Sequence, residues 1–113
     1  MSSPPEDVVY HGTKSSHSGA VITVETPGGE VLGVVRHIAV HSPGGMTWGY
    51  GGSGPLDCAR SLLAAAIGGD GNWGAYGGAG VIWDFRDEVV AGLGDEWRMS
   101  RGEILAWLDG RRA

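Results

Sequence analysis

The residues best suited to chemistry form a glycine-rich turn, Gly49-Tyr50-Gly51-Gly52-Ser53-Gly54, directly before a predicted helix. Such a turn presents free backbone N–H groups at the positive end of the helix dipole, an arrangement that binds anions such as phosphate. Trp48 and Tyr50 flank the glycines and could stack on a base or another ring. The alternative is architectural, in that the glycines let the loop pass close beneath Trp48 while both aromatic rings pack in the core.

The turn also fits the glycines of two nucleotide-binding motifs, but the context of each is missing. The pattern G-x-G-x-x-G of a dinucleotide-binding fold needs a strong preceding strand and two βαβ halves, for which 113 residues are too few. A phosphate-binding P-loop needs Lys and Ser or Thr after its last glycine, where this chain has Pro55 and Leu56. Nucleotide hydrolysis of that kind is therefore excluded, and we expect no cofactor.

Ser53 raises a different alternative, a small enzyme in which this serine pairs with one of the four histidines. The turn resembles a nucleophile elbow, although Pro55 stands where G-x-S-x-G requires its last glycine. His37 and His41 are four residues apart in a segment predicted to be extended, so they would lie about 13 Å apart, too far to share a metal ion. We expect no metal site.

The elements that position the turn follow from the hydrophobic pattern and the turn residues. Strands are expected at residues 8–10, 20–25 and 31–40, the last two as a hairpin, and helices at 56–67, 82–93 and 101–109. Residues 11–19 are expected to be a polar loop and residues 1–7 a loose tail. The prediction is one α+β domain spanning residues 1–113, a small antiparallel β-sheet (an N-terminal meander or hairpin) covered by about three helices.

Capping signals mark the ends of two helices. Ser53 or Gly54 is expected to cap the first helix, with Pro55 at its first position, Asp57 in its first turn and Gly68 at its end. Ser100 and Glu103 have the spacing of a capping box at the start of the last helix.

A second glycine-rich segment, residues 68–80, holds seven glycines in 13 positions together with Trp73 and Tyr76. One interpretation is a lid whose two aromatic rings close over a ligand. The other is a surface loop that these two rings pin to the core.

Composition limits the partners and the compartment. The net charge of −5 disfavours nucleic-acid binding, because such a surface repels phosphates. Cys58 is the only cysteine, which fits a reducing compartment. No apolar run approaches the roughly 20 residues of a membrane-spanning helix, and the start of the chain does not resemble a signal peptide. We therefore expect a cytoplasmic protein without membrane contact.

The run His41-Ser42-Pro43, followed by Trp48 to Pro55 and a helix of small residues, resembles a family of short bacterial and phage proteins of uncharacterised function. Further matches in the family's order extend over most of the chain, while residues 68–80 depart from its pattern. They are Tyr10 and Gly12, the valine-rich hairpin, Phe85 with Val89 and Val90, and Trp97 before Ser100, Glu103 and Ile104. The resemblance implies a shared fold and a shared loop, and it brings no assigned activity.

The sequence therefore predicts a non-catalytic module that binds a small anionic or nucleotide-like molecule. In a phage protein such a module could sequester a nucleotide signal made by host defence. The expected ligand-binding residues are His41, Trp48, Gly49, Tyr50, Gly51, Gly52, Ser53 and Gly54, with Trp73 and Tyr76 as the lid. There are two alternatives. One is a protein-interaction or inhibitor module, or a homo-oligomer, that docks through the Trp73 and Tyr76 loop or through an acidic helix face (Asp84, Asp87, Glu88). The other is the Ser53 enzyme.

Overall fold

Four antiparallel strands form the sheet on which the rest of the molecule packs. In chain order they are β1 (Val9–Ser15), β2 (Gly19–Glu25), β3 (Val31–Val34) and β4 (Glu96–Ser100), and in the sheet they lie in the order β3-β2-β1-β4. This computed structural model describes residues 8–15, 19–38, 46–68 and 73–111. The tail at 1–7 lies outside the described residues.

Three helices cover one face of the sheet and confirm the predicted α+β class. They are α1 (Ser53–Ile67), α2 (Gly80–Glu88) and α3 (Arg101–Asp109), with short 3-10 turns at Trp73–Tyr76 and Val90–Gly92. One continuous hydrophobic cluster joins the helices to the sheet. Arg101, at the start of α3, donates from Nε to the Ala66 carbonyl over 2.6 Å and so satisfies the negative end of α1.

The first strand is longer than predicted, and the expected loop at 11–19 is wrong over residues 11–15 and at Gly19, which begins β2. Residues 11–15 pair with β2 on one side, and residues 11–13 also pair with β4 on the other. The ladder bonds from both neighbours outweigh the turn-like composition of the segment. Residues 16–18 lie outside the described part.

The third strand is shorter than predicted, because β3 ends at Val34 instead of continuing to residue 40. The Val35 N–H still bonds to the Ile22 carbonyl, but the Ile38 N–H donates to the Ser61 hydroxyl of α1 over 2.9 Å. The chain therefore crosses from the sheet to the helix layer after residue 35, and residues 39 and 40 lie outside the described part.

Helix α1 begins three residues earlier than predicted, and its expected cap is wrong. Gly52 is the N-cap residue, no side chain caps the helix, and Pro55 is the third helical residue. Asp57 is the fifth, outside the first turn, and it is buried against His37. Gly68 does end the helix, with a φ of 93° and its N–H on the Ala64 carbonyl.

Of the two later helices, α3 agrees with its prediction and α2 does not. The predicted helix 82–93 is divided, because α2 ends at Glu88 and a 3-10 turn follows. The capping box of α3 is confirmed, since the Ser100 hydroxyl accepts from the Glu103 N–H and the Glu103 carboxylate accepts from the Ser100 N–H.

The two faces of the sheet differ in what they contact. Tyr10, Gly12 and Ile22 face the helices, and the Trp97 ring lies over Gly12, where a Cβ would be 2.2 Å from it. His11 and Glu25 alternate with these residues and lie on the opposite, open face. Within the described residues, no helix is long and apolar enough to cross a membrane.

Candidate functional site

The glycine-rich turn is fastened at its base by three backbone hydrogen bonds. The Thr47 N–H donates to the Gly54 carbonyl over 3.3 Å, which brings the two ends of the turn together. The Gly49 N–H donates to the Val90 carbonyl, and the Leu56 N–H donates to the Gly52 carbonyl, the first bond of α1. The turn is thereby fixed both to the helix it opens and to the 3-10 turn after α2.

Trp48 belongs to the core and not to the ligand surface. Its side chain is 0% exposed, its indole N–H donates to the Gly94 carbonyl over 2.7 Å, and its ring meets Trp97 edge to face at 5.4 Å. The expectation that the Trp48 ring stacks on a ligand is therefore wrong. Its large apolar area, and an acceptor for its N–H inside the protein, account for this position.

Lys14 is the cation beside the turn, and sequence reasoning did not single it out. It lies near the end of β1, its ammonium donates to the Trp48 carbonyl over 2.8 Å, and it lies 5.4 Å from the centre of the Trp48 ring. A Cβ placed on Gly49 would be 3.5 Å from this ammonium. Lys14 and Trp48 are 34 residues apart, so they meet through the tertiary packing of the fold and not through local sequence.

Tyr50 lies where its ring could stack on a ligand. Its ring is 53% exposed and lies over Gly52, where a Cβ would be 2.7 Å from Cε2. The Cδ2–Cε2 side of the ring therefore lies against the backbone at the start of α1. Tyr50 is the aromatic residue of the turn that solvent can reach.

The glycines of the turn divide into constrained and unconstrained positions. Gly49 has a φ of +94°, and a Cβ there would be 3.2 Å from the Leu93 carbonyl oxygen, so both conformation and space require glycine. Gly51 has neither constraint, because its φ is not positive and a Cβ would meet no described atom within 4 Å. Packing explains the glycine at position 49 and leaves that at position 51 unexplained.

The start of α1 carries no side chain that competes with an anion. No side-chain hydrogen bond caps the helix, and no acidic residue occupies its first turn. Ser53 is exposed there and Gly54 is buried. The first N–H groups of a helix have no partner within the helix, and its dipole adds positive potential at this end. Pro55 has no N–H and the Leu56 N–H bonds to the Gly52 carbonyl, so the helical donors available to an anion at this end of α1 are those of Ser53 and Gly54.

The structure places the remaining predicted residues as follows. Trp73 and Tyr76 are half-buried and pack against the hydrophobic core, which fits a loop pinned by its aromatic rings. Their role as a lid stays a prediction. His41 lies outside the described residues.

A charged cluster on the open face of the sheet was also missed from the sequence. The His11 ring bonds to the Glu25 carboxylate at 2.8 Å through Nδ1 and to Glu96 at 2.6 Å through Nε2. The Thr23 hydroxyl donates to Glu25 over 2.7 Å. Hydrogen bonds to Glu25 and then Glu96 raise the pKa of His11, and hydrogen bonds from Thr23 and then His11 lower the pKa of Glu25.

An open cleft of about 180 Å³ adjoins this cluster, with Glu25 and Arg98 among its walls and the β2–β3 turn at its edge. A second cleft, of about 100 Å³, lies between Ile38 and Ser61. Pockets that bind drug-sized ligands have volumes of roughly 300–1,000 Å³. Both clefts are therefore smaller than a nucleotide site, and neither is lined by a residue of the turn.

The other titratable groups near α1 are engaged inside the protein. His37 Nε2 lies 3.1 Å from the carboxylate of the fully buried Asp57. Burial raises the pKa of the Cys58 thiol to about 12, against the opposing charge of Lys14, so this cysteine is inert as a nucleophile.

The Ser53 enzyme finds no histidine partner in the described part of the chain. His11 and His37 are bonded to carboxylates, and neither hydrogen-bonds to Ser53. The other two histidines, at positions 17 and 41, lie outside the described residues. The described residues also contain no group of three or more His, Cys, Asp or Glu side chains arranged to hold a metal ion.

The chain is related to a known protein family. The model of the family of unknown function DUF6166 matches residues 10–110, which include Lys14, the turn and all three helices. The chain belongs to that family. The sequence resemblance to a family of uncharacterised function is confirmed at this level. No curated protein and no solved structure matches the chain.

Proposed function

We propose that this DUF6166 protein binds a small anion, such as a phosphate group, at the tip of the glycine-rich turn. The observation that carries the proposal is the uncapped start of α1, which has no acidic residue in its first turn. The Lys14 ammonium lies at the base of the same turn, on the Trp48 carbonyl. Backbone N–H groups would hold the anion, and Lys14 would supply the opposite charge.

Tyr50 extends the proposal from a bare anion to a nucleotide-like molecule. Its exposed ring lies beside the helix start, so a base attached to the bound phosphate could stack on its outer face. The two clefts described above are smaller than a nucleotide site and lie away from the turn, so the proposed ligand would be held across the surface by its phosphate. In a phage protein, this binding would sequester a nucleotide signal of host defence.

Thermal unfolding in the presence of pyrophosphate and of mono-, di- and cyclic nucleotides tests the proposal. Ligand at a hundredfold excess over its dissociation constant adds about 2.7 kcal/mol, which raises the melting temperature of a domain of this size by several degrees. The comparison uses wild type, Gly51→Val, which places bulk at the tip, and Gly28→Val, an exposed glycine of the β2–β3 turn with ordinary space for a Cβ.

Binding by wild type and Gly28→Val, but not by Gly51→Val, is the expected result. Lys14→Met should weaken binding about tenfold or more, and Lys14→Arg should retain most of it. No shift with any member of the panel, in a protein that melts cooperatively, would contradict the proposal.

A protein-interaction module is the second candidate, and a different observation favours it. Val31, Leu32 and Val34 of β3 are 59%, 57% and 65% exposed, an apolar surface with no role in a small-anion site. The acidic side chains of α2, Asp84, Asp87 and Glu88, are also exposed. The apolar strand is the stronger feature, because exposed charges are ordinary on a surface.

A further inference from the structure

The cleft of about 180 Å³ on the open face of the sheet has walls that carry opposite charges. Val9 of β1 lies between Glu25 of β2 and Ser100 of β4 in the register of the sheet, so it forms the floor of the cleft. Glu25 and the β2–β3 turn form one wall, and Arg98 of β4 forms the other. A carboxylate and a guanidinium therefore flank an aliphatic floor, the mixture of a few polar groups with apolar surface that is typical of ligand sites.

Glu25 is the buried charge of the cleft. It is 6% exposed, and the His11 ring and the Thr23 hydroxyl both bond to its Oε2. These bonds hold the carboxylate in place and leave Oε1 as the acceptor that it can offer to a ligand. The same bonds lower the pKa of Glu25, so the group is ionised at neutral pH. This wall therefore suits a positively charged donor.

Arg98 is the positive group of the cleft. It is exposed, and its charge also lowers the pKa of Glu25, so the two side chains lie near each other. The ion pair of Glu25, however, is with His11. A guanidinium holds a carboxylate through two parallel hydrogen bonds, so this wall suits the carboxylate of a ligand.

The volume and the edge of the cleft restrict the ligand to a small molecule. A cavity of about 150 Å³ holds one benzene molecule, so this cleft has room for about seven or eight non-hydrogen atoms. Its edge is already formed, because the Thr26 N–H donates to the Glu30 carbonyl over 2.8 Å and the Gly29 N–H donates to the Thr26 carbonyl over 2.9 Å. A preformed edge lowers the entropic cost of binding.

We propose that this cleft binds a free α-amino acid with a short aliphatic side chain, such as valine. Its carboxylate bonds to Arg98, its ammonium donates to Glu25, and its side chain lies against Val9. A zwitterion matches both walls, whereas an anion or a cation alone is attracted by one wall and repelled by the other. The dissociation constant is expected on the order of 0.1 mM for a ligand of this size. This site does not depend on the anion site, because no residue of the glycine-rich turn lines the cleft.

Nuclear magnetic resonance of the isotope-labelled full chain, titrated with L-valine to about 10 mM, tests the proposal. Saturable shift changes are expected at the Gly28 and Gly29 amides and at the Val9 methyl groups, and none at Gly51. N-acetylvaline lacks the ammonium and valinamide lacks the carboxylate, so each should bind about tenfold more weakly than valine. No saturable change up to about 10 mM, equal binding of the three compounds, or changes centred on Gly51 would overturn the proposal.

Two variants assign the charged groups of the ligand to the walls. Arg98→Met should weaken valine binding about tenfold and remove the preference for valine over valinamide. Glu25→Gln keeps an acceptor but removes the charge, so it should remove the preference for valine over N-acetylvaline. Arg86→Met is the matched control, because Arg86 lies on α2 and bonds to Asp87, and it should bind valine as wild type does.

Melting of each variant establishes that it is folded. If Glu25→Gln does not fold, the comparison of valine with its two analogues on the wild-type chain still decides the question. Arg98→Met should also bind pyrophosphate as wild type does, which separates this site from the anion site. Unchanged valine binding in a folded Arg98→Met protein would overturn the proposal.

Discussion

The base and the tip of the glycine-rich turn are built from neighbouring residues, yet they obey different constraints. At the base, Trp48 is fully buried and Gly49 is required by its φ and by the nearby Leu93 carbonyl. At the tip, Gly51 has open space around it and Ser53 is exposed. One run of sequence therefore serves the architecture at one end and leaves the other end open to a ligand.

The largest expected effect is at the base, in Trp48→Ala. The change removes a buried indole with its edge-to-face contact to Trp97 and its bond to Gly94, so it should cost about 3–5 kcal/mol of the free energy of unfolding. Denaturant unfolding measures the loss. The matched control is Trp83→Ala, because Trp83 is 39% exposed, and it should lose much less. Equal losses would show that Trp48 does not anchor the turn.

Gly49→Ala should have the next largest effect. A side chain at a φ of +94°, close to the Leu93 carbonyl, should cost about 1–3 kcal/mol. Gly51→Ala should change the free energy of unfolding by no more than about 0.5 kcal/mol. Chemical denaturation of both variants measures this difference in the free energy of unfolding between the base and the tip of the turn. If Gly51→Ala costs as much as Gly49→Ala, the tip is architectural too.

The sequence predicted those features of the fold that depend on neighbouring residues. The hairpin turn at Thr26 to Glu30, the end of α1 at Gly68 and the capping box at Ser100 are all written in neighbouring residues. The burial of Trp48 was left open, because the same aromatic residue beside glycines fits either a core or a stacking surface. Its indole partner, Gly94, is 46 residues away.

Features that depend on distant strands could not be predicted. Strand β4 has an ordinary polar composition and forms because β1 offers it a free edge. Residues 11–15 extend β1 because they pair with β2, and this extension carries Lys14 to the turn. His11 and Glu96, 85 residues apart, meet only once β4 is in place.

A smaller, pH-dependent effect is expected from His11→Gln on the open face of the sheet. The raised pKa of His11 means that its contribution is complete below pH 6.5 and is lost as the pH rises through the raised value. The lowered pKa of Glu25 means that its contribution is complete above pH 4.5 and is lost as the pH falls through the lowered value. The stability difference between wild type and His11→Gln should therefore be largest between pH 4.5 and 6.5.

Melting temperatures of the two proteins across this range measure the difference. A difference that grows steadily above pH 6.5 would show that His11 is not held as an imidazolium between the two carboxylates. His11→Gln should also leave anion binding unchanged, because the cluster lies on the face of the sheet opposite the core, where Trp48 packs.

Calorimetric titration of wild type and Gly51→Val with pyrophosphate, beside the Gly28→Val control, tests most directly whether the open tip binds an anion. Heat of binding is expected in wild type and Gly28→Val, and its loss is expected in Gly51→Val with an unchanged melting temperature. Pyrophosphate binding that survives in a folded Gly51→Val protein would place the anion elsewhere and contradict binding at the tip of the turn.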